Sequence, residues 1–320
     1  MYRIGIDLGG TNIAVGIVNS DMKIVKKGSV PTFANREGEL IVRDMVNLAS
    51  DLIAKCGLKA SDIESVGIVS PGSIDRKNGL VVYAGNLPFK SFPIVEHFKK
   101  YLPIEKVFIE NDANAAALAE SLIGAARGTK NSVMITLGTG VGGGIIMDNK
   151  IYSGFNGTAG ELGHMVIAHG GRLCSCGRRG CWEAYSSATG LVNMTREKLA
   201  QCRALGVKTL MTDELSRNNG RANARTAFNA QKAGDRAANE VIKEYLSYLS
   251  CGLVNVINVF QPEVISIGGG IGNEGENLLK PLLKPINEEQ FSRAFANKTK
   301  IKIAELGNDA GIIGAAGLES

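Results

Sequence analysis

The stretch from Arg3 to Val18 is RIGIDLGGTNIAVGIV. Arg3–Asp7 and Thr11–Val18 have the length and apolar content of strands, and Leu8-Gly9-Gly10 lies between them. Two such runs parted by a glycine pair form a hairpin. The plan recurs further along the chain as Ser132–Leu137, then Gly138-Thr139-Gly140, then Val141–Met147. A strand–glycine turn–strand unit once in each half points to an internally duplicated α/β protein.

Working outward, a helix is expected near Leu40–Lys55, strands at Ser65–Val69 and Lys106–Glu110, and an alanine-rich helix over Ala113–Ile123. The clearest helix runs from about Asp235 to Phe260. There Val241, Ile242, Tyr245, Leu246, Leu249, Leu253, Val256, Ile257 and Phe260 recur at spacings of three and four, which gives one apolar stripe. Asp235 is placed to cap it and Pro262 to stop it. A strand over Glu263–Ile267 runs into Gly268-Gly269-Gly270, followed by a helix over Glu276–Leu283, a strand over Lys300–Ala304 and a helix over Ala310–Leu318. The polar segment Asp213–Thr226 has the character of a loop or surface linker. The hairpins argue against a purely parallel, doubly wound sheet.

Composition narrows the function classes. The 320 residues predict two domains at about 150 residues each. The 36 basic and 31 acidic residues are scattered, which argues against nucleic acid as the main partner. The run Val133–Met147 is too short for a membrane span and holds five glycines. No apolar signal segment precedes the first strand, so a cytoplasmic location is expected. Glycine, with 40 residues, is nearly twice as common as usual and concentrates in short loops.

Gly138–Gly143 and Gly270–Gly275 both fit G-x-G-x-x-G. A dinucleotide site requires strand, turn, then helix, with an acid about twenty residues on. The first match runs on into a strand. The second precedes a helix but offers only Glu288 and Glu289 after two prolines. Neither a G-x-x-x-x-G-K-[ST] nor a G-x-S-x-G pattern occurs, so a P-loop and a serine-hydrolase elbow are both absent. The turns carrying Thr11 and Thr139 remain. Glycine lets the backbone approach phosphate closely and turn N–H groups form anion nests, although a tight turn alone also demands glycine. Asp7 at the end of a strand tilts the balance, because a carboxylate beside a phosphate nest implies a metal ion between them.

Glu110-Asn111-Asp112 ends a strand and opens a helix. Asp112 or its neighbour can cap that helix; alternatively Asp112 is a general base and Asn111 orients the substrate. His164 is followed at short spacings by Cys174, Cys176 and Cys181. One His and three Cys match a closed, structural zinc site, against the alternative of three free thiols. Glu183 lies two residues beyond, where such a loop would hold it rigidly.

Taken together, these segments resemble the ROK family of bacterial sugar kinases, repressors and uncharacterised relatives. They are Asp7-Leu8-Gly9-Gly10-Thr11-Asn12, Glu110-Asn111-Asp112, Leu137-Gly138-Thr139-Gly140-Val141-Gly142-Gly143-Gly144, Gly160-Glu161-Leu162-Gly163-His164, the run from Cys174 to Glu183, and Ile267-Gly268-Gly269-Gly270. They occur in order over residues 3 to 318 and look most like the glucokinase branch. The resemblance implies an α/β, actin-like ATPase (ribonuclease H-like) fold of two domains with an interdomain cleft. Residues 1–115 plus about 305–320 would form one domain and 116–304 the other, with the last helix packed back on the first.

By the same resemblance, Asp7, Gly9, Gly10, Thr11 and Asn12 would hold phosphate, with Asp7 toward Mg²⁺. Gly138, Thr139 and Gly140 would hold phosphate from the second turn, and Gly269 with Gly270 would flank the adenosine. Asn86, Asn111, Asp112, Glu161, His164 and Glu183 would grip the sugar, with backbone help near Gly72, and loop 71–86 would line the site. His164, Cys174, Cys176 and Cys181 would hold structural Zn²⁺, whose loss is expected to weaken sugar binding more than ATP binding. The implied activity is ATP-dependent phosphorylation of an aldohexose at the 6-hydroxyl, glucose first, with Asp112 as base. Kinases for N-acetylmannosamine, N-acetylglucosamine, fructose or allose are the alternatives, and a sugar-sensing regulator or a zinc-dependent dehydrogenase are rivals of other classes. Family repressors carry a helix-turn-helix ahead of the first strand, which here starts two residues in. A homodimer or higher homo-oligomer is the family expectation, with neither nucleic acid nor membrane as partner.

Overall fold

The computed structural model describes residues 1–319. Strands β1 (Tyr2–Leu8) and β2 (Asn12–Val18) form the first hairpin, with Asp7 opposite Ala14. An edge strand the sequence hides, β3 (Ile24–Pro31), continues it; its run of exposed Val25, Lys26 and Lys27 obscures the apolar alternation. Helix α1 (Gly38–Lys55) buries Ile41, Val42, Met45, Val46, Ala49, Leu52 and Ile53 along one face. It returns the chain to β4 (Ile63–Ser70), parallel to β1. A small antiparallel sheet of β5 (Ser73–Asp75), β6 (Leu80–Tyr83) and β7 (Lys90–Phe92) follows, then α2 (Ile94–Tyr101). Strand β8 (Val107–Asn111) pairs parallel to β4 and leads directly into α3 (Asp112–Leu122). The resulting order is β3-β2-β1-β4-β8.

The second hairpin comprises β9 (Ser132–Leu137) and β10 (Val141–Met147), and β11 (Lys150–Ile151) pairs with β10. Helices α4 (Glu183–Ser186), α5 (Ala188–Ala204), α6 (Met211–Arg217), α7 (Ala224–Lys232) and α8 (Arg236–Phe260) come next. Strand β12 (Val264–Gly268), the single turn α9 (Gly269–Gly272), α10 (Glu276–Glu289), β13 (Lys300–Ile303) and α11 (Ala310–Ala316) complete the chain. The order β11-β10-β9-β12-β13 repeats the plan of the first sheet.

The described chain divides into two compact units: residues 1–134, 144–160 and 304–319, and residues 135–143 and 161–303. The first takes in residues 116–134, which the sequence assigns to the second domain. The reason is that α3 packs against α11. Helix α11 lies unusually close to its neighbours. A Cβ at Gly5 or Gly67 would stand 1.9 Å from the Ile312 carbonyl oxygen or 1.7 Å from that of Ala315. Only glycine permits this approach between strand and helix.

Two expectations fail. Asp213–Thr226 is not a linker, because α6 occupies its start and α7 begins within it. Asn223 caps α7 through Arg225 N and Thr226 N, and Thr226, Ala227, Phe228 and Ala230 are buried. The polar surface residues had masked a short amphipathic face. Helix α10 also runs past Leu283, through Pro285 to Glu289, keeping Leu278, Leu282 and Ile286 buried. Asp235 caps α8 as expected, accepting from Ala238 N at 2.7 Å. Among the described residues, no helix is long and apolar enough to cross a membrane.

Candidate active site

In the first unit the glycine turn closes through a bond from Gly9 N to Asn12 O of 3.0 Å. Thr32, fully buried, supports it twice: its hydroxyl donates to Gly9 O at 2.6 Å and its amide to Thr11 O at 2.8 Å. A Cβ on Gly10 would lie 2.6 Å from Asn86 Nδ2, so a residue expected at phosphate and one expected at sugar are direct neighbours. Asp7 sits where β1 enters the turn, and a Cβ on Gly311 would meet its carboxylate at 2.3 Å. Burial, with a smaller contribution from the negative charge of Asp112, pushes the Asp7 pKa up to about 6.

Asn111, not Asp112, is the side-chain cap of α3. Its Oδ1 accepts from Ala113 N at 2.9 Å and Asn114 N at 3.3 Å, and its Nδ2 donates to the Gly72 carbonyl at 3.2 Å. Gly72 itself has φ +98°, and a Cβ there would strike the Tyr83 carbonyl at 2.1 Å. The cap is supplied by its neighbour, and Asp112 Oδ1 accepts from Ala113 N at 2.9 Å. Asp112 is exposed at the surface yet closely surrounded by protein. That crowding strips hydration and raises its pKa, against the backbone hydrogen bond from Ala113 that lowers it. A carboxylate so held can take a proton from a hydroxyl group.

In the second unit His164, Cys174, Cys176 and Cys181 bring their ligand atoms within 4.8 Å of one another. Cys174 Sγ lies 3.7 Å from His164 Nδ1, and Cys176 Sγ lies 3.7 Å from Cys181 Sγ. A tetrahedral zinc with Zn–S near 2.3 Å sets neighbouring sulfurs about 3.8 Å apart, so the four side chains fit that ion and are too far apart for a disulfide. Burial pushes the Cys181 thiol up to about 12, a thiol that gives up its proton when a cation binds. The other ring nitrogen of His164 faces Glu161, with Nε2 3.8 Å from Oε2. The loop is shaped by Gly180, at φ +85°, whose Cβ would lie 1.8 Å from the Ala168 carbonyl. Trp182, fully buried, anchors it by donating from Nε1 to Tyr248 O on α8 at 3.1 Å.

Glu183 connects this loop to the second glycine turn. Its Oε1 accepts from Ser175 Oγ at 3.0 Å and its Oε2 from Val141 N at 3.1 Å. A Cβ on Gly140 would meet it at 2.3 Å. The turn is held further by Ala188 N to Gly138 O at 2.8 Å and Thr189 Oγ1 to Thr139 O at 2.8 Å. Gly269, at φ +80°, abuts the Leu137 backbone, whereas a Cβ on Gly138 or Gly270 would meet open space. Packing therefore explains Gly140 and Gly269 but not Gly138 or Gly270, which leave room for a ligand. Strand β10 after Gly140 removes the helix that a dinucleotide site requires.

Within the first unit the structure gathers Asp7, Gly9, Gly10, Thr11, Asn12, Gly72, Asn86, Asn111 and Asp112 around the turn and the start of α3. Within the second it gathers Gly138, Thr139, Gly140, Glu161, His164, Glu183 and the three cysteines, with Gly269 and Gly270 opening α9 just past the end of β12. Sequence reasoning missed Thr32, Ser175 and Gly311. Ser175, between two cysteines, was the one with a local signal.

A duplicated α/β plan with a glycine turn in each half and paired carboxylates beside the first defines an ATPase of the actin-like fold. The ROK family profile matches residues 3–320, and the chain belongs to the ROK family. It is 37% identical to a glucokinase of Thermotoga maritima, over 98% of this chain and 96% of that one. It is 36% identical to a glucokinase of Halalkalibacterium halodurans, over 98% and 93%. Among solved structures, the ROK family glucokinase from Streptomyces griseus in complex with glucose and AMPPNP superposes with a TM-score of 0.80 at 32% identity, covering 99% of this chain and 98% of that one.

Proposed function

We propose that this protein transfers the terminal phosphoryl group of ATP to the 6-hydroxyl of an aldohexose, with glucose as the preferred acceptor. The observation that carries the reading is the pair Asp7 and Asp112, two carboxylates close enough for the charge of one to raise the pKa of the other. One stands at a glycine turn and the other at a helix start. Phosphoryl transfer to an alcohol requires a cation site at the phosphates and a base at the hydroxyl. The full-length similarity to glucokinases supports the choice of substrate.

In this reading Asp112 takes the proton as the sugar O6–H bond breaks and O6 bonds to phosphorus, and ADP leaves with the electron pair of the broken P–O bond. The raised pKa of Asp112 makes it a stronger base than an ordinary aspartate near neutral pH. Magnesium, when bound, neutralises phosphate charge, and Asp7 is the residue that would hold it. The turns at Gly9–Asn12 and Gly138–Gly140 would receive phosphate oxygens, and Gly269 with Gly270 the adenosine. Asn86, Asn111, Glu161, His164 and Glu183, with the Gly72 backbone, would take the sugar hydroxyls. Zinc on His164, Cys174, Cys176 and Cys181 would be structural, since four protein ligands leave no open position.

Such an enzyme belongs in the cytoplasm, where ATP is found and thiols stay reduced. Its working form is a homo-oligomer, because Val259, Phe291 and Phe295 are 69%, 81% and 68% exposed and offer apolar surface to a second copy. The test is ADP release over glucose, N-acetylmannosamine, N-acetylglucosamine, fructose and allose. Glucose is expected to give the highest kcat/KM. Sugar binding without ADP release from any of them would replace the kinase by a sensor.

A further inference from the structure

Glu110 is 1% exposed at the end of β8, two residues before the proposed base. Its Oε1 accepts from Asn111 N at 2.8 Å and from Asn114 Nδ2 at 3.1 Å. Arg76 Nε stands 3.2 Å from its Oε2, an ion-pair contact without hydrogen-bond geometry. Arg76 lies in the turn between β5 and β6, the hairpin that follows Gly72. That turn is itself braced, with Asp75 accepting from Asn78 N at 3.0 Å and from Asn78 Nδ2 at 2.7 Å. The hairpin and the start of α3 are therefore joined twice: by Asn111 to the Gly72 carbonyl, and by Arg76 to Glu110.

We propose that Arg76 and Glu110 form a positioning pair that holds the Gly72–Tyr83 hairpin against the segment bearing Asn111 and Asp112. The inference rests on the reading of Asp112 as the base. A buried carboxylate demands a partner, and a tertiary fold with many apolar choices at this position places a charge there instead. Its oxygens are spent on the Asn111 amide and the Asn114 side chain, which fix the first turn of α3, and on a cation carried by the hairpin. The arrangement sets the direction of the Asp112 carboxylate and the height of the Gly72 carbonyl together. Displacements near 1 Å at a reacting group cost on the order of 10²-fold in rate.

Two variants test this. Arg76→Met leaves a buried carboxylate alone and threatens folding, so Arg76→Met combined with Glu110→Gln, which removes both charges and keeps an acceptor for Asn111 N, is measured beside it. For the double variant we expect kcat to fall about tenfold to a hundredfold and the KM for glucose to rise several-fold. The KM for ATP should stay within about twofold, and Arg76→Lys alone should retain most of the wild-type kcat. Hydrogen exchange should quicken over residues 72–83 and 110–114 and nowhere else. An unchanged kcat and glucose KM in the double variant overturns the proposal, as does an equal rise in both KM values, which is the mark of general loosening. If the wild-type protein releases no ADP with any sugar, the kinase reading falls separately. The pair is then judged on exchange alone, and protection equal to wild type in the double variant overturns it.

Discussion

Glu183 Oε2 accepts a hydrogen bond from Val141 N at 3.1 Å. The relationship joins the cysteine loop to the second glycine turn, because the other oxygen of the same carboxylate accepts from Ser175, between Cys174 and Cys176, at 3.0 Å. Glu183 is thus a strut as well as a candidate sugar ligand. The sequence placed the influence of zinc on the sugar side; this bond extends it to the turn expected to receive phosphate.

Cys176→Ala is therefore expected to lower zinc content and to weaken both glucose and ATP-analogue binding. Each lost hydrogen bond at the strut is worth about 1 kcal/mol, or roughly fivefold in affinity. Metal analysis with titration calorimetry for both ligands checks this. A full equivalent of zinc in the variant would show the ligand set to be wrong, and intact nucleotide affinity in a zinc-free variant would break the link through Glu183.

Asp112→Asn should fold and bind glucose while losing about 10²–10⁴-fold in kcat, because the amide keeps the shape but cannot take a proton. Its Oδ1 can still accept from Ala113 N, so α3 keeps its first turn. Retention of more than about a tenth of the wild-type rate would remove Asp112 as the base.

The Asp7 pKa of about 6, against the usual 3.8, gives stability a definite sign with pH. Between these values the unfolded chain has released the proton and the folded chain has kept it, so unfolding free energy contributed by Asp7 falls as pH rises through that window and is level above it. Asp7→Asn should thus raise the unfolding free energy of the ligand-free protein at neutral pH by about 1–2 kcal/mol, allowing for partial solvent screening, while abolishing magnesium-dependent turnover. Urea titrations at about pH 4 and pH 7 read the stability side. A variant no more stable than wild type at the higher pH would contradict the shift.

Gly67→Ala should destabilise the first unit by about 3 kcal/mol, since the added methyl group would lie inside contact distance of the Ala315 carbonyl, 1.7 Å away. Gly57→Ala, where nothing lies within 4 Å but φ is +68°, is the comparison: it carries only backbone strain. Equal midpoints for the two in urea denaturation would show that α11 does not pack as described.

Local chemistry made much of this protein legible in one dimension. The hairpins at Gly9–Gly10 and Gly138–Gly140, the cap at Asp235 and the His–Cys–Cys–Cys spacing are all written within a few residues of chain, where turn and ligand chemistry act. The edge strand β3, the helices α6 and α7, and the continuation of α10 through Pro285 were not, because their form depends on which side chains find a buried partner. Spacing along the chain was enough to read the glycine turns, the duplicated α/β plan and the grouping of His164 with Cys174, Cys176 and Cys181. Tertiary packing was needed to show that the Asn111 side chain, rather than that of Asp112, caps α3. It also decided that Thr32 buttresses a turn more than twenty residues away, that Arg76 neutralises Glu110, and that Val141 meets Glu183. Such pairings are set by packing between elements distant in sequence, and no spacing rule along the chain encodes them.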